Sequence, residues 1–543
     1  MDLKQFPDCT GKNADNCKIM VYLREWYERN KKMLLFALVC TFLWGMLAHG
    51  YCFFDNSFSH DSLNEFHGAL FGNEWKMQLG RVFTPLYRDL LRGDATVPWL
   101  IGMLALLWLG LATFFTYKVL DIDSKTAMIL TAGVLTVNVT VSATAASFLH
   151  DLDCYMFALL FAVLAVYCWK TLPWGEIPGA VLIMGSLGIY QGFLAVTIVL
   201  VMFVSILALF RGDSFERVLV RGLRAVGMVL LGGMLYYLAM KAMLSLSEIA
   251  LNSSSYNSPT GILELTPQTL LEFTKEAYVD WFRRIWNAYS NYPASLVRLA
   301  TVLLFAITGL AMTAFFLDRQ RRLREKLLAL VLFALLPLMM NLYCVLMRGG
   351  HHELTGYAIW LFYLLVMLLA DWLVKQWVNT GKKEKFAILI RILCFLLVFM
   401  MVYGGVQFAN GMYLKKDIEY DAYLSLMTRV MCRMESMPNY VGGQTPVVFV
   451  GLPETLHSAT PGLKDYWGPL GMWFSDVITM PQRGRYQAYF DYVLNTPINL
   501  VEEDSWNTIA GSGIAAQMPC YPDEGFLRME GDTLIVKLGT LWE

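Results

Sequence analysis

The sequence predicts an all-α bundle of about eleven membrane-spanning helices followed by a small α/β domain. Of the residues, 57% are hydrophobic and only 16% are charged, and the mean hydropathy is positive. Such values are typical of polytopic membrane proteins. The apolar residues are also gathered into segments of roughly 17 to 25 residues, the length that crosses a bilayer as a helix. This pattern ends near Asn410, where a polar tail begins.

The first apolar segment, residues 33–54, follows a polar and basic segment, residues 1–32. It has no charge and lacks the small-residue cleavage site of a signal peptide, so we expect it to remain as the first span. Further along, Gly188 and Gly192 interrupt the apolar residues and favour two spans over one tilted helix. The predicted spans are 33–54, 97–119, 126–144, 154–170, 177–192, 193–210, 224–246, 296–317, 327–346, 354–376 and 387–409.

The short loops rich in Lys and Arg all fall on one side of this predicted bundle. The loop residues concerned are Lys118, Lys125, Lys170, Arg211, Arg217, Arg221, Arg224, Arg319, Arg321, Arg322, Arg324, Lys326, Lys382, Lys383, Lys385 and Arg391. Because basic residues are retained in the cytoplasm, we predict a cytoplasmic N-terminus, an odd number of spans and an external tail. The net charge is −1, so no nucleic-acid partner is expected.

The chain therefore divides into a cytoplasmic segment 1–32, a membrane domain 33–410 and an extracytoplasmic domain 411–543. In the last of these we predict a helix over 417–434, a strand over 446–450, an apolar segment at 489–493 and a strand-like segment at 533–537. The ten cysteines show no zinc-binding spacing. Cys432 and Cys520 lie in the tail, where they either pair in an oxidising compartment or remain free.

Acidic motifs fall on the predicted outer face. Asp61 follows the first span, and Asp151 with Asp153 begins a later one. Carboxylates that face one cavity perform general-base chemistry or bind a metal ion. The alternative is that Asp61 caps a short helix, while Asp151 and Asp153 start a helix whose dipole favours acidic residues there.

Cationic residues lie on the same face, which runs against the usual bias and therefore calls for an anionic partner. Arg suits a phosphate because it donates two parallel hydrogen bonds, although contact with lipid headgroups is the plainer explanation. With no Walker-type loop for a nucleotide, the residues describe an enzyme with a lipid-phosphate donor and a hydroxyl acceptor. The residues assigned to substrate binding are His60, Lys76, Arg81, His150, Tyr190, Gln191, Arg348, His351 and His352.

An ordered set of motifs resembles one known family. The set comprises residues 59–62 after the first span, Gly80 and Arg81 with Pro85, the turn at 150–153, and Tyr190 with Gln191. Together with the span pattern, it is similar to the serotype-converting type II integral-membrane glucosyltransferases, which modify bacterial O-antigen and related surface polysaccharides.

The resemblance implies a GT-C-type fold in the bacterial inner membrane, with a polyprenyl-phosphate-linked sugar as donor and a glycan acceptor on the periplasmic side. It further implies that Asp61 is the catalytic base, that Asp151 and Asp153 form a second acidic motif, and that Arg348 or Arg81 holds the donor phosphate. A divalent ion such as Mg²⁺ or Mn²⁺ at Asp151 and Asp153 is left open. A separate donor synthase and flippase would supply the lipid-linked sugar.

Two other functions suit a polar cavity in a membrane bundle. A transporter or flippase of lipid-linked glycans predicts ionisable residues along the spans, whereas these spans are almost free of charge. A glycan polymerase or ligase would use a diphosphate-linked donor and depend on outer Arg residues rather than on a carboxylate base.

Overall fold

The computed structural model shows a bundle of long apolar helices followed by a small sheet, which confirms the predicted fold class. It describes residues 14–55, 57, 59, 62, 69–93, 95–252, 266–289, 293–349, 353–379, 384–451, 463 and 483–539.

The helices before the sheet are α1 (Ala14–Phe54), α2 (Ala69–Gln78), α3 (Thr84–Leu91), α4 (Pro98–Leu120), α5 (Lys125–Thr136), α6 (Val139–Ser147), α7 (Leu152–Thr171), α8 (Glu176–Ile189), α9 (Leu194–Arg211), α10 (Phe215–Leu246), α11 (Pro267–Trp286), α12 (Ala294–Leu317), α13 (Leu323–Met340), α14 (Leu342–Leu346), α15 (Tyr357–Trp360), α16 (Phe362–Asn379) and α17 (Glu384–Glu435). Short 3-10 turns precede α7, α9 and α15, at Leu149–Asp151, Gln191–Phe193 and Glu353–Thr355.

Each predicted span corresponds to a helix or a broken helix. Among the described residues, eight helices are long and apolar enough to cross a membrane, and the bent pair α5 and α6 makes nine. The other two are helices that fall short of a span: α8 has 14 residues, and α13 carries Arg324, Glu325 and Lys326 in its first turn. The predicted interruption near Gly188 is present as the turn between α8 and α9.

The break between α5 and α6 has a clear physical cause. Asn138 caps α6 by accepting a hydrogen bond from the Val141 backbone nitrogen at 3.1 Å. Its amide nitrogen also donates to the carbonyl oxygens of Val134 and Leu135, at 3.1 and 3.2 Å. One buried side chain thus satisfies backbone groups on both sides of the bend, as a helix interrupted inside an apolar bundle requires.

The basic loops meet at one end of the bundle, which we call the basic end. There Asp121 accepts hydrogen bonds from Lys170 at 2.6 Å and from Arg211 at 2.5 Å. The Arg321 guanidinium donates to the Phe210 carbonyl oxygen at 2.9 Å. Burial acts to raise the pKa of Asp121, but the hydrogen bonds and charges of Lys170 and Arg211 outweigh it and hold that pKa below its ordinary value.

The tail begins as a direct continuation of the bundle. The predicted span 387–409 and the predicted helix 417–434 are parts of one helix of 52 residues, α17. Its N-terminal part, as far as Tyr413, packs in the core of the bundle, through residues such as Val398 and Met412. Its C-terminal part packs in another hydrophobic core, through Met427 and Val430.

The second core is built on a four-stranded sheet. The remaining elements are β1 (Pro446–Val450), α18 (Arg483–Ala488), a π-helical turn (Tyr489–Leu494), β2 (Asn499–Leu500), α19 (Glu503–Ala510), α20 (Gly513–Gln517), β3 (Leu527–Glu530) and β4 (Thr533–Lys537). The strand order is β2-β1-β4-β3; β1 runs parallel to β2 and β4, while β3 and β4 are antiparallel. The predicted strands match β1 and β4. Cys432 and Cys520 are both free.

Candidate active site

The site begins at the turn between α2 and α3. Gly80 has a φ of 77° there, and a Cβ atom at this position would lie 2.6 Å from the Tyr236 hydroxyl oxygen. Both observations require glycine, since other residues rarely adopt a positive φ. Pro85 starts α3 in the first helical turn, where proline is well tolerated. The turn thereby directs Arg81 and the buried face of α3 toward the start of α7.

Asp151 is the centre of a buried ion cluster. It ends the 3-10 turn before α7 and is 0% exposed. Its carboxylate accepts hydrogen bonds from Lys76, from Arg88 Nη2 at 2.9 Å and from the Tyr155 hydroxyl at 2.9 Å. His150 Nε2 lies 3.5 Å from the same carboxylate. The predicted residues Lys76, His150 and Asp151 are therefore in contact.

Asp153 has a separate partner. Its Oδ2 atom accepts hydrogen bonds from Arg92 Nε at 2.9 Å and from the Tyr87 hydroxyl at 3.2 Å. Arg92 also donates to the His150 carbonyl oxygen at 2.5 Å. The acid lies in the first turn of α7, where the helix dipole favours a negative charge. Asp151 and Asp153 thus bind different cations instead of facing one another across an open cavity.

Arg81 lies over a pair of stacked tyrosines. The rings of Tyr155 and Tyr190 have centroids 4.1 Å apart, and the Arg81 guanidinium carbon lies 5.5 and 5.0 Å from them. Arg81 Nη1 donates to the Tyr155 hydroxyl at 2.5 Å. Its Nε atom is buried and has no hydrogen-bond partner among the described residues. The two tyrosine rings hold the Arg81 guanidinium in place, and its Nε–H group remains available to donate a hydrogen bond.

Gln191 fixes the neighbouring turn to this group. Its side-chain amide donates to the Leu79 carbonyl oxygen at 3.0 Å and to the Tyr236 hydroxyl at 3.1 Å. Tyr343 in turn donates to the Gln191 backbone carbonyl. The predicted Tyr190 and Gln191 therefore lie beside Arg81, and α14 contacts the same turn through Tyr343. We call this end of the bundle the motif end.

Arg348 lies just beyond α14, exposed and at a φ of 55°. The next residue, Gly349, is also left-handed, and a Cβ atom there would lie 2.5 Å from Glu276 Oε2. The turn is tied to α14 by backbone hydrogen bonds from Arg348 to Val345 and from Gly349 to Cys344, and α14 also contains Tyr343. Four other predicted residues, His60, Asp61, His351 and His352, lie outside the described residues.

The described neighbours of Asp61 are anchored to the site. Ser59 donates its backbone N–H to Ser62 Oγ at 2.7 Å, and Ser62 donates its own N–H to Ser59 Oγ at 3.4 Å. Such reciprocal bonds resemble a capping box. The Ser59 hydroxyl also donates to the Ser147 carbonyl oxygen at 2.5 Å. Since Ser147 ends α6 just before the turn with Asp151, both serines belong to the motif end.

Comparison with known proteins identifies the family. A sequence model described as Glucosyl transferase GtrII matches residues 50–369, more than half of the chain. This chain belongs to the GtrII glucosyl transferase family. The resemblance to type II glucosyltransferases is thereby confirmed. Searches among curated proteins and among solved structures give no match.

The residues that the GtrII match covers include the whole described ion cluster. Four cationic side chains, Lys76, Arg81, Arg88 and Arg92, surround the carboxylates of Asp151 and Asp153. The described part of the cluster thus has an excess of two positive charges. Arg81 Nε is buried and has no hydrogen-bond partner among the described residues, and a buried donor of a cation is costly to leave unpaired, so this part of the cluster favours the binding of an anion.

The same contacts bear on a divalent ion in this GtrII chain. A metal at Asp151 and Asp153 needs carboxylate oxygens directed to a common point, but these two bind Lys76 with Arg88 and Arg92 respectively. Within the described ranges, no group of three or more His, Cys, Asp or Glu side chains has metal-binding geometry. The described side chains around Asp151 and Asp153 do not fit a metal ion held between these two carboxylates.

A second charged group was missed from the sequence. Arg284 on α11 donates to Asp280 Oδ2 at 2.8 Å and to Glu353 Oε2 at 2.6 Å, and Asn341 donates to the same Asp280 oxygen at 3.0 Å. Burial acts to lower the pKa of Arg284, but Glu353 and Asp280 outweigh it and the pKa is raised. The group joins α11 to the 3-10 turn before α15 on the motif-end side of the bundle.

Sequence reasoning also missed Arg92, Tyr87 and Tyr155 as site residues. A signal was available for two of them: Tyr155 follows Asp151 by four residues, and Arg92 follows Arg88 by four. That spacing places side chains on one helix face. Tyr87 follows Pro85 and Leu86 in the sequence, and nothing there distinguishes it from a packing residue.

Proposed function

We propose that this GtrII chain transfers a glucosyl group from a polyprenyl-phosphate donor to a hydroxyl of a bacterial surface polysaccharide such as O-antigen. The observation that supports it best is the excess of cationic side chains around Arg81 and Asp151, at one end of an apolar bundle. A lipid-linked donor has an apolar chain that suits the bundle surface and a phosphate that suits those cations.

Arg81 is proposed to bind the donor phosphate. Its guanidinium is already oriented by two rings and by the Tyr155 hydroxyl, so little conformational entropy is lost on binding. Lys76 and Arg88 hold the Asp151 carboxylate in place, and Asp151 in turn holds Tyr155. Arg348 and the following histidines are proposed as further contacts to the donor.

Asp61 is proposed as the catalytic base. Asp151 and Asp153 were candidates from sequence, but each already accepts hydrogen bonds from lysine or arginine side chains, which suits an orienting role. Asp61 is the remaining acid of the predicted set. Its described neighbours Ser59 and Ser62 are buried and are anchored beside the turn with Asp151.

The reaction is a direct displacement. As Asp61 takes the proton of the acceptor hydroxyl, the acceptor oxygen attacks the anomeric carbon. The bond between that carbon and the phosphate oxygen breaks, and the polyprenyl phosphate departs with the electron pair. Arg81 stabilises the negative charge that develops on the leaving phosphate. A single displacement inverts the anomeric configuration.

The membrane orientation in this proposal follows from charge. The basic end is placed in the cytoplasm because short loops rich in Lys and Arg are retained there. The motif end then faces the periplasm of a bacterial inner membrane, where no nucleotide-sugar is available. A separate synthase and flippase are required to deliver the lipid-linked sugar.

Replacement of Asp61 tests the proposal. Asp61→Asn keeps the shape of the side chain but removes the proton acceptor, so transfer should fall by about 100-fold or more. We would measure transfer from synthetic polyprenyl-phosphate glucose to the host's surface polysaccharide in vesicles that contain the full chain. Asp89→Asn makes the same change at an exposed position of α3 and should leave the rate unaltered. Near-normal turnover by Asp61→Asn would remove Asp61 from its role.

A further inference from the structure

Helix α17 makes a row of polar contacts at the motif end with α1 and with Ser57, which follows α1. The contacts are His49 Nδ1 with the Tyr413 hydroxyl at 2.8 Å, Asn410 Nδ2 with the Leu47 carbonyl at 2.9 Å, the Tyr51 hydroxyl with Asp417 Oδ2 at 2.6 Å, and Lys416 Nζ with the Ser57 carbonyl at 2.9 Å. Polar pairs between helices at membrane depth fix their relative position. The row ends at the segment that leads to Asp61.

Lys416 is the unusual member of this row. Its side chain is buried, with the residue 4% exposed, and the Ser57 carbonyl is its one hydrogen-bond partner in the part of the chain that the structure describes. The nearby acids are engaged elsewhere. Asp55 accepts a hydrogen bond from the Ser57 backbone nitrogen at 3.0 Å, and Asp417 accepts one from Tyr51. Buried lysines without an ion-pair partner are costly and tend to mark function.

We propose that Lys416 is a positioning residue: it fixes the segment that begins at Asp55 and leads to Asp61, so that Asp61 can accept the proton of the bound acceptor. This rests on the function proposed above. The lysine holds the backbone of Ser57 from α17, while Ser59 is held from α6 through the Ser147 carbonyl. Two helices therefore secure the segment shortly before Asp61.

This assignment makes the tail part of the catalytic apparatus. The family match ends at residue 369, so Lys416 lies beyond the matched residues. Yet α17 runs without a break from the bundle core, past Lys416, into the second core. A rigid helix that reaches both cores can hold a backbone carbonyl in place, because its own position is fixed at two ends.

The test compares variants of the full chain in vesicles with polyprenyl-phosphate glucose as donor. Lys416→Met should lower the apparent kcat by at least about tenfold through misplacement of the base, while the donor KM stays within about twofold. Lys416→Arg keeps a cationic donor and should recover most of the rate. Arg429→Met removes a positive charge at an exposed position farther along α17 and should match the unaltered chain.

A second readout is independent of catalysis. Ser57→Cys introduces a thiol at a buried position, and its labelling by a maleimide, located by mass spectrometry, should be faster when Lys416→Met is also present. Should Lys416→Met fail to accumulate, Lys416→Gln replaces it, since the shorter amide loses both the charge and the reach.

The outcomes separate the two proposals. Unchanged kcat together with unchanged labelling would overturn the role of Lys416, as would an effect on the donor KM alone or an equal loss in Arg429→Met. No transfer by the unaltered chain would overturn the proposed function. The labelling rate would then decide the positioning role on its own: faster labelling supports it, and an unchanged rate refutes it.

Discussion

Tyr155 connects the two halves of the charged cluster. Its hydroxyl donates to Asp151 and accepts from Arg81, and its ring stacks on Tyr190 beneath the same guanidinium. Tyr155 thus links the buried Asp151 carboxylate to Arg81, whose Nε–H group has no hydrogen-bond partner among the described residues. Hydrogen bonds to charged groups are among the strongest in proteins, so this link should matter to the ligand that Arg81 binds.

Removal of that hydroxyl gives a sharp prediction. Tyr155→Phe keeps the stacked ring but releases Arg81 Nη1 and Asp151 Oδ2, so the donor KM should rise by about 10- to 100-fold. Titration of polyprenyl-phosphate glucose in vesicles measures it. Tyr117→Phe is the control, because it removes a buried hydroxyl that donates to the Met128 carbonyl at 2.7 Å toward the basic end. An unaltered donor KM in Tyr155→Phe would mean that Arg81 does not depend on this contact.

Among elements, the turn between α2 and α3 has the most demanding geometry. It must reverse the chain within a few residues, present Arg81 and leave room for the Tyr236 hydroxyl, which accepts from Gln191 and donates to the Gly80 carbonyl at 3.0 Å. Only glycine satisfies the backbone angle and the space together. Glycine is therefore required at position 80 by the backbone conformation and by the space available, independently of any catalytic role.

Two glycines with the same backbone conformation separate these effects. Gly80→Ala and Gly93→Ala both place an alanine at a positive φ, 77° and 73°, which costs about 1 to 2 kcal/mol. Only at Gly80 does the added Cβ meet an atom, the Tyr236 hydroxyl; at Gly93 nothing lies within 4 Å. Gly80→Ala should therefore also reduce transfer, whereas Gly93→Ala should affect only thermal unfolding in detergent. Equal transfer by the two variants would contradict this account.

The helices and strands show which features of the fold can be predicted from the sequence. Hydropathy locates the helices of the predicted spans because apolar length is a local property, and the strands β1 and β4 were predicted from local sequence patterns in the same way. The more polar helices α2, α3 and α11 were not predicted. The bend at Asn138 and the fusion of a span with a tail helix into α17 were not foreseen. Both depend on which neighbours pack against the helix, and a single-helix pattern contains no such information.

The candidate site was foreseen in part. Lys76, Arg81, His150 and Asp151 were predicted from charge on one face, and the structure brings them together. What the sequence concealed was the pairing: both acids of the second motif are neutralised by lysine or arginine, one of them through the unremarked Arg92. Pairing arises from distances between α2, α3 and α7, which sequence spacing does not encode.

At the scale of the whole molecule, charge separates two ends. Asp121 gathers Lys170 and Arg211 at one end, and the cluster around Asp151 lies at the other. Between them the bundle core is apolar, as its membrane environment requires. This polarity predicts which loops face the cytoplasm, since basic loops are retained there.

Native cysteines test that orientation without disturbing any helix. Cys432 is exposed near the end of α17, whereas Cys168 lies beside Lys170 at the basic end. A membrane-impermeant maleimide added to intact spheroplasts should label Cys432 and should reach Cys168 only after the membrane is permeabilised. Mass spectrometry distinguishes the two sites. Labelling in the reverse order would place the basic end outside and invert the proposed topology.

Because α17 is continuous, the sheet domain can be exchanged between homologous chains only if its orientation about this helix is kept. A helix turns by about 100° per residue, so two residues inserted between Ile418 and Tyr423 would rotate the sheet by about 200° around the rod. Seven inserted residues would return the sheet to within about 20° of its original orientation and would shift it by roughly 10 Å along the helix axis. Exchange of this portion between homologous chains must therefore respect helical phase as well as the choice of junction.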